Sequence, residues 1–342
     1  MQDWEREFLP AETEGNNLPP ESELDHQSAQ FDDHASGVLA EIDRLQRRKA
    51  NWGATLLVLI VSGLLFYWIG SAAWNLKTAA LLIPILLFHE LGHYLAMLAF
   101  GYRNLRMFFI PLFGAAVTGR NYNVAAWKKA VVSLMGPLPG IGVGVALGIA
   151  ALILRQKLLL EAAGLMVFIN GINLLPILPL DGGWNLHAIL FSQHYLLDVG
   201  FRLAAALLMI LGGVILKEYF LTYLGAAMLF GLPMEYRRSQ IVARLRQEGF
   251  TARSLDSQTI PEGTARRIID QIHASFPKRL SDKAAARLTL QIFESLNARP
   301  PAWFAVVALA GAQFAGFVVA VLFSIFFFIA LHAQANQVNP FN

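Results

Sequence analysis

Two histidines and a glutamate in the run Leu86-Leu87-Phe88-His89-Glu90-Leu91-Gly92-His93-Tyr94-Leu95 are the residues of this chain best suited to chemistry. His89 and His93 are four apart, so on a helix both imidazoles project from one face. That spacing lets two nitrogens reach one metal ion, with Glu90 beside it to take a proton from water. Glu90 is the one formally charged side chain between Thr78 and Phe100. A carboxylate in such an apolar run is costly against lipid and points to function. The plainer reading makes the histidines hydrogen-bonding groups of a helix bundle and Glu90 a buried ion-pair partner, in the place where such a carboxylate is hardest to justify.

The rest of the chain must hold these groups within a membrane. The 342 residues are 56% hydrophobic, with a mean hydropathy of +0.48. That is too apolar for a soluble globular domain and fits a multi-pass membrane protein. A net charge of only +3 gives no footprint for nucleic acid, so none is expected as a partner. Cysteine is absent, which excludes disulfides, a thiolate zinc site and a cysteine nucleophile. Any metal site must use histidine and carboxylate.

In order along the chain, residues 1–50 read as an acidic, mostly disordered tail. A short helix from Ser36, its candidate N-cap, to Lys49 carries the stripe Val38, Leu39, Ile42 and Leu45. Its basic end, Arg44 to Lys49, reads as a topology anchor. Met1-Gln2-Asp3-Trp4-Glu5 lacks the pattern of a cleavable signal, so the apolar run from Trp52 is expected to act as the targeting signal. Seven spans are expected: Trp52 to Ile69, Thr78 to Phe100, Ala130 to Leu154, Leu158 to Leu175, Gly200 to Leu216, Tyr219 to Met234 and Trp303 to Leu331. The fifth and sixth read equally as a re-entrant pair. Residues 51–234 form the membrane core, 235–301 a polar domain of helical pattern, and 302–342 the last span and its tail. Within the 101–129 loop, Met107 to Val117 is apolar but too short to span, as an interfacial loop or a membrane-dipping hairpin would be. The Lys and Arg distribution puts the N-terminus, this loop and the 235–301 domain in the cytoplasm.

A catalytic zinc site needs three protein ligands and an open position. The candidates for the third are Asp181, His187, His194, Asp198 and Glu161. Asp181 is favoured because Pro176, Pro179, Gly182 and Gly183 hold it off regular helix, on backbone tolerated at depth only where it lines a site.

Three motifs now stand together: His89-Glu90-Leu91-Gly92-His93 in an apolar helix, Gly136-Pro137-Leu138-Pro139-Gly140, and Asn173-x-x-Pro176-x-x-x-x-Asp181-Gly182. Over about residues 78 to 190 the sequence resembles the site-2 protease family of intramembrane zinc metalloproteases. The resemblance implies a three-helix catalytic core, one Zn2+ per chain on His89, His93 and Asp181, and Glu90 as general base. It also implies a membrane-dipping strand region at Arg106 to Thr118, Gly114 included, that aligns substrate by strand addition. Asn173 is then a substrate-positioning residue, or equally a helix–helix hydrogen-bonding group. Many members carry a PDZ or a CBS domain, and the pattern of neither is recognisable here.

The expected protein is an all-α multi-pass membrane protein of about seven transmembrane helices with a hairpin and a small cytoplasmic helical domain. Its expected place is a bacterial cytoplasmic membrane, its partners the lipid bilayer and membrane-protein substrates, with the oligomeric state open. Its expected activity is zinc-dependent cleavage in or near transmembrane segments. The alternatives are an inactive scaffold that holds membrane clients, disfavoured by the presence of Glu90, and a transporter, disfavoured by the nearly apolar first, fifth and last spans.

Overall fold

Asn51 and Asn75 stand ahead of two apolar runs, and each caps a helix with its side-chain carbonyl, on the N–H of Ala54 (3.3 Å) and Thr78 (2.8 Å). The helices that follow are α2 (Trp52–Ala73) and α3 (Leu76–Ala99), the second running through Pro84. The computed structural model describes residues 21–47, 51–250, 259–298 and 300–338.

Helix α1 (Glu21–Arg47) precedes them. It begins well before Ser36, so part of the tail expected to be disordered is helical. Ser36 is not an N-cap, because its hydroxyl donates within the helix to the Asp33 carbonyl (2.6 Å). Residues 1–20 and the basic pair Arg48-Lys49 lie outside the described residues. After α3 the chain forms an antiparallel hairpin of β1 (Arg103–Ile110) and β2 (Gly114–Arg120), with Met107 opposite Val117 and Phe109 opposite Ala115. The outer edge of β1 is held by α2: the Phe109 N–H donates to Ser62 Oγ (2.9 Å), and its ring lies 5.5 Å from that of Phe66. The apolar loop segment is thus a hairpin against the first span.

The expected third span starts as two helices, α4 (Ala126–Leu134) and α5 (Pro137–Leu154), parted at Met135-Gly136. Helix α6 (Lys157–Asn173) follows, then irregular backbone to α7 (Asp181–Leu186) and a π-helical turn over His187–Phe191. Helices α8 (Tyr195–Leu216) and α9 (Tyr219–Gln247) pack on each other across the tight turn at Lys217-Glu218. Helices α10 (Glu262–Ser275) and α11 (Asp282–Asn297) lead to α12 (Trp303–Val338).

Among the described residues five helical stretches are long and apolar enough to cross a membrane: Trp52–Ala73, Leu76–Ala99, Ala126–Leu154, Tyr195–Leu216 and Trp303–Ala333. The chain is an integral, multi-pass membrane protein, mostly helical and with one small sheet among the described residues. The two larger of its hydrophobic cores among the described residues organise it. In the membrane core α5, α6 and α12 bury Ile141, Val167, Leu174 and Phe327. The second core joins segments far apart in sequence: Val38 and Ile42 of α1, Ile241 and Leu245 of α9, Ile268 and Ile272 of α10, and Ile292 and Phe293 of α11. The N-terminal helix therefore belongs to the same bundle as the polar domain. That bundle meets the hairpin's end, where Arg120 donates to the Leu45 carbonyl (2.7 Å) and Tyr122 packs on Phe293.

Candidate metal centre

Helix α3 places His89 and His93 one turn apart and points both rings inward, each less than one tenth exposed. The third group comes from the break after α6. The chain leaves the helix at Leu174 and re-enters one at Asp181, which opens α7. His89 Nε2 lies 3.0 Å and His93 Nε2 3.3 Å from Asp181 Oδ2, and the two Nε2 atoms are 3.1 Å apart. Among the described residues these three are the group of histidines and carboxylates close enough to share a metal ion.

The protons on the two rings are fixed from behind. His89 Nδ1 faces Asn170 Oδ1 at 2.8 Å, and His93 Nδ1 faces the Val132 carbonyl at 2.7 Å. Both partners are acceptors, so each Nδ1 carries the hydrogen and each Nε2 presents a lone pair. Two lone pairs and a carboxylate oxygen then converge in a buried space, and Asp181 Oδ2 receives no hydrogen bond there. Such an arrangement repels itself unless a cation sits in it. The donor set of two imidazoles and one carboxylate fits a metal such as zinc with an open position.

Close helix approach makes this geometry accessible. A Cβ on Gly136 would fall 2.3 Å from His93 Nε2, so the residue at the break between α4 and α5 must be glycine for the ring to keep its place. Glu90 is buried beside the two rings and within hydrogen-bonding reach of the Val117 N–H on β2. A cavity of about 440 Å³ opens over the group, lined by Glu90, Gly114, Val117, Asn173, Asp181 and Phe220 among others.

Asn173 and Gly114, the two residues singled out for substrate positioning, thus face the same cavity as the triad. Asn173 also donates to the Ile169 carbonyl of its own helix (3.1 Å). The other candidate third ligands lie elsewhere. His187 and Asp198 bond each other at 2.7 Å, Glu161 pairs with Lys77, and His194 stacks on Tyr195.

Two site residues escaped sequence reasoning. Asn170, fully buried, holds His89, and an amide in an apolar helix was its only signal. Gln313 of α12 anchors the loop that presents Asp181. Its Nε2 donates to the carbonyls of Leu174 (2.8 Å) and Gly182 (3.2 Å), and its Oε1 accepts from Asn185 Nδ2 (2.7 Å).

No family model matches the chain. It is 32% identical over 139 residues to stage IV sporulation protein FB of Bacillus subtilis, covering 38% of this chain and 46% of that protein. It is 28% identical over 183 residues to a zinc metalloprotease of Methanocaldococcus jannaschii, covering 49% of this chain and 51% of that one. The chain thus spans about half the length of the curated relatives it matches. A solved site-2 protease from Methanocaldococcus jannaschii overlaps 54% of this chain and 88% of its own, at 22% identity and a TM-score of 0.36. Over about half of their length the chain is thus similar to a zinc metalloprotease and to stage IV sporulation protein FB, in line with the resemblance its three motifs carry.

Proposed function

We propose that this protein is an intramembrane zinc metalloendopeptidase that hydrolyses peptide bonds in or near the transmembrane segments of membrane-protein substrates. The observation that carries this reading is the buried convergence of His89 Nε2, His93 Nε2 and Asp181 Oδ2 with a general-base candidate, Glu90, in the same cavity. One zinc ion per chain would be held by those three atoms. Zinc bound there supplies Lewis acidity, which polarises a carbonyl and eases the deprotonation of water. Glu90 takes the proton from water and returns it to the leaving amide nitrogen.

The hairpin supports the choice of substrate. β1 bonds α2 through the Phe109 N–H, so its antiparallel partner Ala115 points its own N–H and C=O away from β1, as does Val117 two residues on. That edge of β2 lines the cavity. Through Ala115 and the Val117 carbonyl, the Val117 N–H being within reach of Glu90, it offers main-chain hydrogen bonds to an extended peptide, a mode that suits a locally unwound segment, because an intact helix keeps its carbonyls in its own hydrogen bonds. Asn173 and Gly114 then help to position the substrate.

Seven spans complete the reading, with α6 and the apolar first half of α9 crossing beside the five longer stretches. The basic residues Arg103, Arg106, Arg120, Lys128 and Lys129 and the helical bundle share one end of the core, which supports a cytoplasmic bundle and N-terminus. A bacterial cytoplasmic membrane suits this topology. The partners are the bilayer and membrane-protein clients, with no nucleic acid.

The test is cleavage of single-span test proteins co-reconstituted in vesicles with wild type or Glu90→Gln. Cleavage by the wild type, reduced about 10²–10⁴-fold in the variant with its zinc retained, is the expected result. Intact clients with both proteins, each zinc-loaded, would favour a client-holding scaffold.

A further inference from the structure

We infer that Gly140 and Asn170 form a relay that sets the His89 ring for metal binding, an assignment that rests on the metalloprotease reading above. Asn170 is completely buried, and its two amide atoms are each committed. Nδ2 donates to the Met166 carbonyl one turn back in α6 (2.7 Å), and a carbonyl can only accept. A flipped amide would set Oδ1 against that carbonyl oxygen with no water to separate them. Oδ1 is therefore the atom that faces His89 Nδ1, and the imidazole answers with its hydrogen there. One amide orientation permits one tautomer of His89, the tautomer with the Nε2 lone pair aimed at Asp181 and His93.

Gly140 makes the amide's place. A Cβ at this position of α5 would lie 2.3 Å from Asn170 Oδ1 and 2.6 Å from Nδ2. The second glycine of Gly136-x-x-x-Gly140 therefore acts on the metal site from a third helix without touching a metal ligand: α5 admits Asn170, α6 holds it, and α3 presents His89. Asn170 is a positioning residue. Asn173, three residues on, lines the substrate cavity and has a separate role.

The experiment is zinc affinity of the full-length protein in detergent, by competition with a chromophoric chelator, with helical content checked for each variant. Asn170→Leu removes the acceptor and is expected to bind zinc about 10–100-fold more weakly. Asn170→Asp, protonated in this buried place so that its hydroxyl donates to the Met166 carbonyl as Nδ2 does, keeps an acceptor for the His89 Nδ1–H and stays close to wild type. Gly140→Ala alone weakens zinc in the same range, whereas in an Asn170→Ala background it adds little, because the side chain it would displace is gone. Asn170→Ala is read in place of the leucine variant should that one not fold. Wild-type affinity in Asn170→Leu or Gly140→Ala overturns the relay. So does an Asn170→Asp as weak as the leucine variant, or a Gly140→Ala effect undiminished by Asn170→Ala. A wild type that binds no zinc at all overturns the metalloprotease reading itself, which separates the two failures.

Discussion

The triad and the cluster around His187 and Asp198 are both built from histidine and aspartate, and they make opposite demands. In the triad, His89 and His93 spend their hydrogens on Asn170 and Val132, and their bare nitrogens face each other and Asp181. At the junction with the helical bundle, His187 bonds Asp198 at 2.7 Å, and the same carboxylate accepts from Arg202 Nε (2.7 Å) and Ser239 Oγ (2.5 Å). Arg202 and Arg238 also share Glu235. Each acceptor in the second cluster faces a donor, so it closes on itself. The first is left short of positive charge. Residue type does not separate a metal site from an internal ion-pair network. The direction of the hydrogens does, and buried acceptors behind the rings set that direction.

The largest effect expected from this contrast is on stability. Asp198→Ala leaves Arg202, Arg238 and His187 without their shared carboxylate in a largely buried place. It should cost about 3–5 kcal/mol in denaturant unfolding in detergent and leave zinc per chain unchanged. Zinc loss in that variant would mean that the two clusters are coupled. Next is Gln313→Leu, which strips donors from the Leu174 and Gly182 carbonyls and an acceptor from Asn185. Asp181 then loses its anchor, and zinc affinity should fall about tenfold in chelator competition, a loss that a span serving only as an anchor would not produce.

The smallest effect concerns a second histidine pair, in the bundle. Burial, the neighbouring His34 and Arg279 hold the His273 pKa below the ordinary 6.5, opposed by Asp270, and the His34 and His273 rings lie 4.8 Å apart across the α1–α10 contact. A depressed histidine favours the neutral folded form. Its contribution is therefore present above the unfolded value and lost as pH falls below 6.5. Amide exchange in α1 should quicken between pH 7.5 and 5.5, and His273→Gln should flatten that response.

Much of this was legible in the sequence because spacing and composition report local geometry. The i, i+4 histidines set one helix face, the prolines ahead of Asp181 marked broken backbone, although Gly182 and Gly183, expected to hold Asp181 off regular helix, lie with it in α7, and an apolar segment too short to span marked the hairpin region. What was hidden depends on partners distant in the chain. Asn170 and Asn173 are alike in sequence, and only the neighbouring helices decide that one meets His89 while the other lines the cavity. Gln313 is one polar residue in a long apolar helix, with partners about 130 residues earlier. Acidic composition suggested disorder for the region ahead of Ser36, yet α1 is helical from Glu21, and its stripe finds a core made by α9, α10 and α11. The break between α4 and α5 falls just ahead of Pro137, which cannot continue a helix, and only the fold shows that Gly136 there leaves room for the His93 ring.

The most direct test of the central claim is zinc per chain in detergent-purified wild type, Asp181→Ala and His187→Ala. The account predicts about one zinc in the wild type, much less in Asp181→Ala, and the wild-type amount in His187→Ala. No zinc in the wild type, or equal loss in both variants, would contradict it.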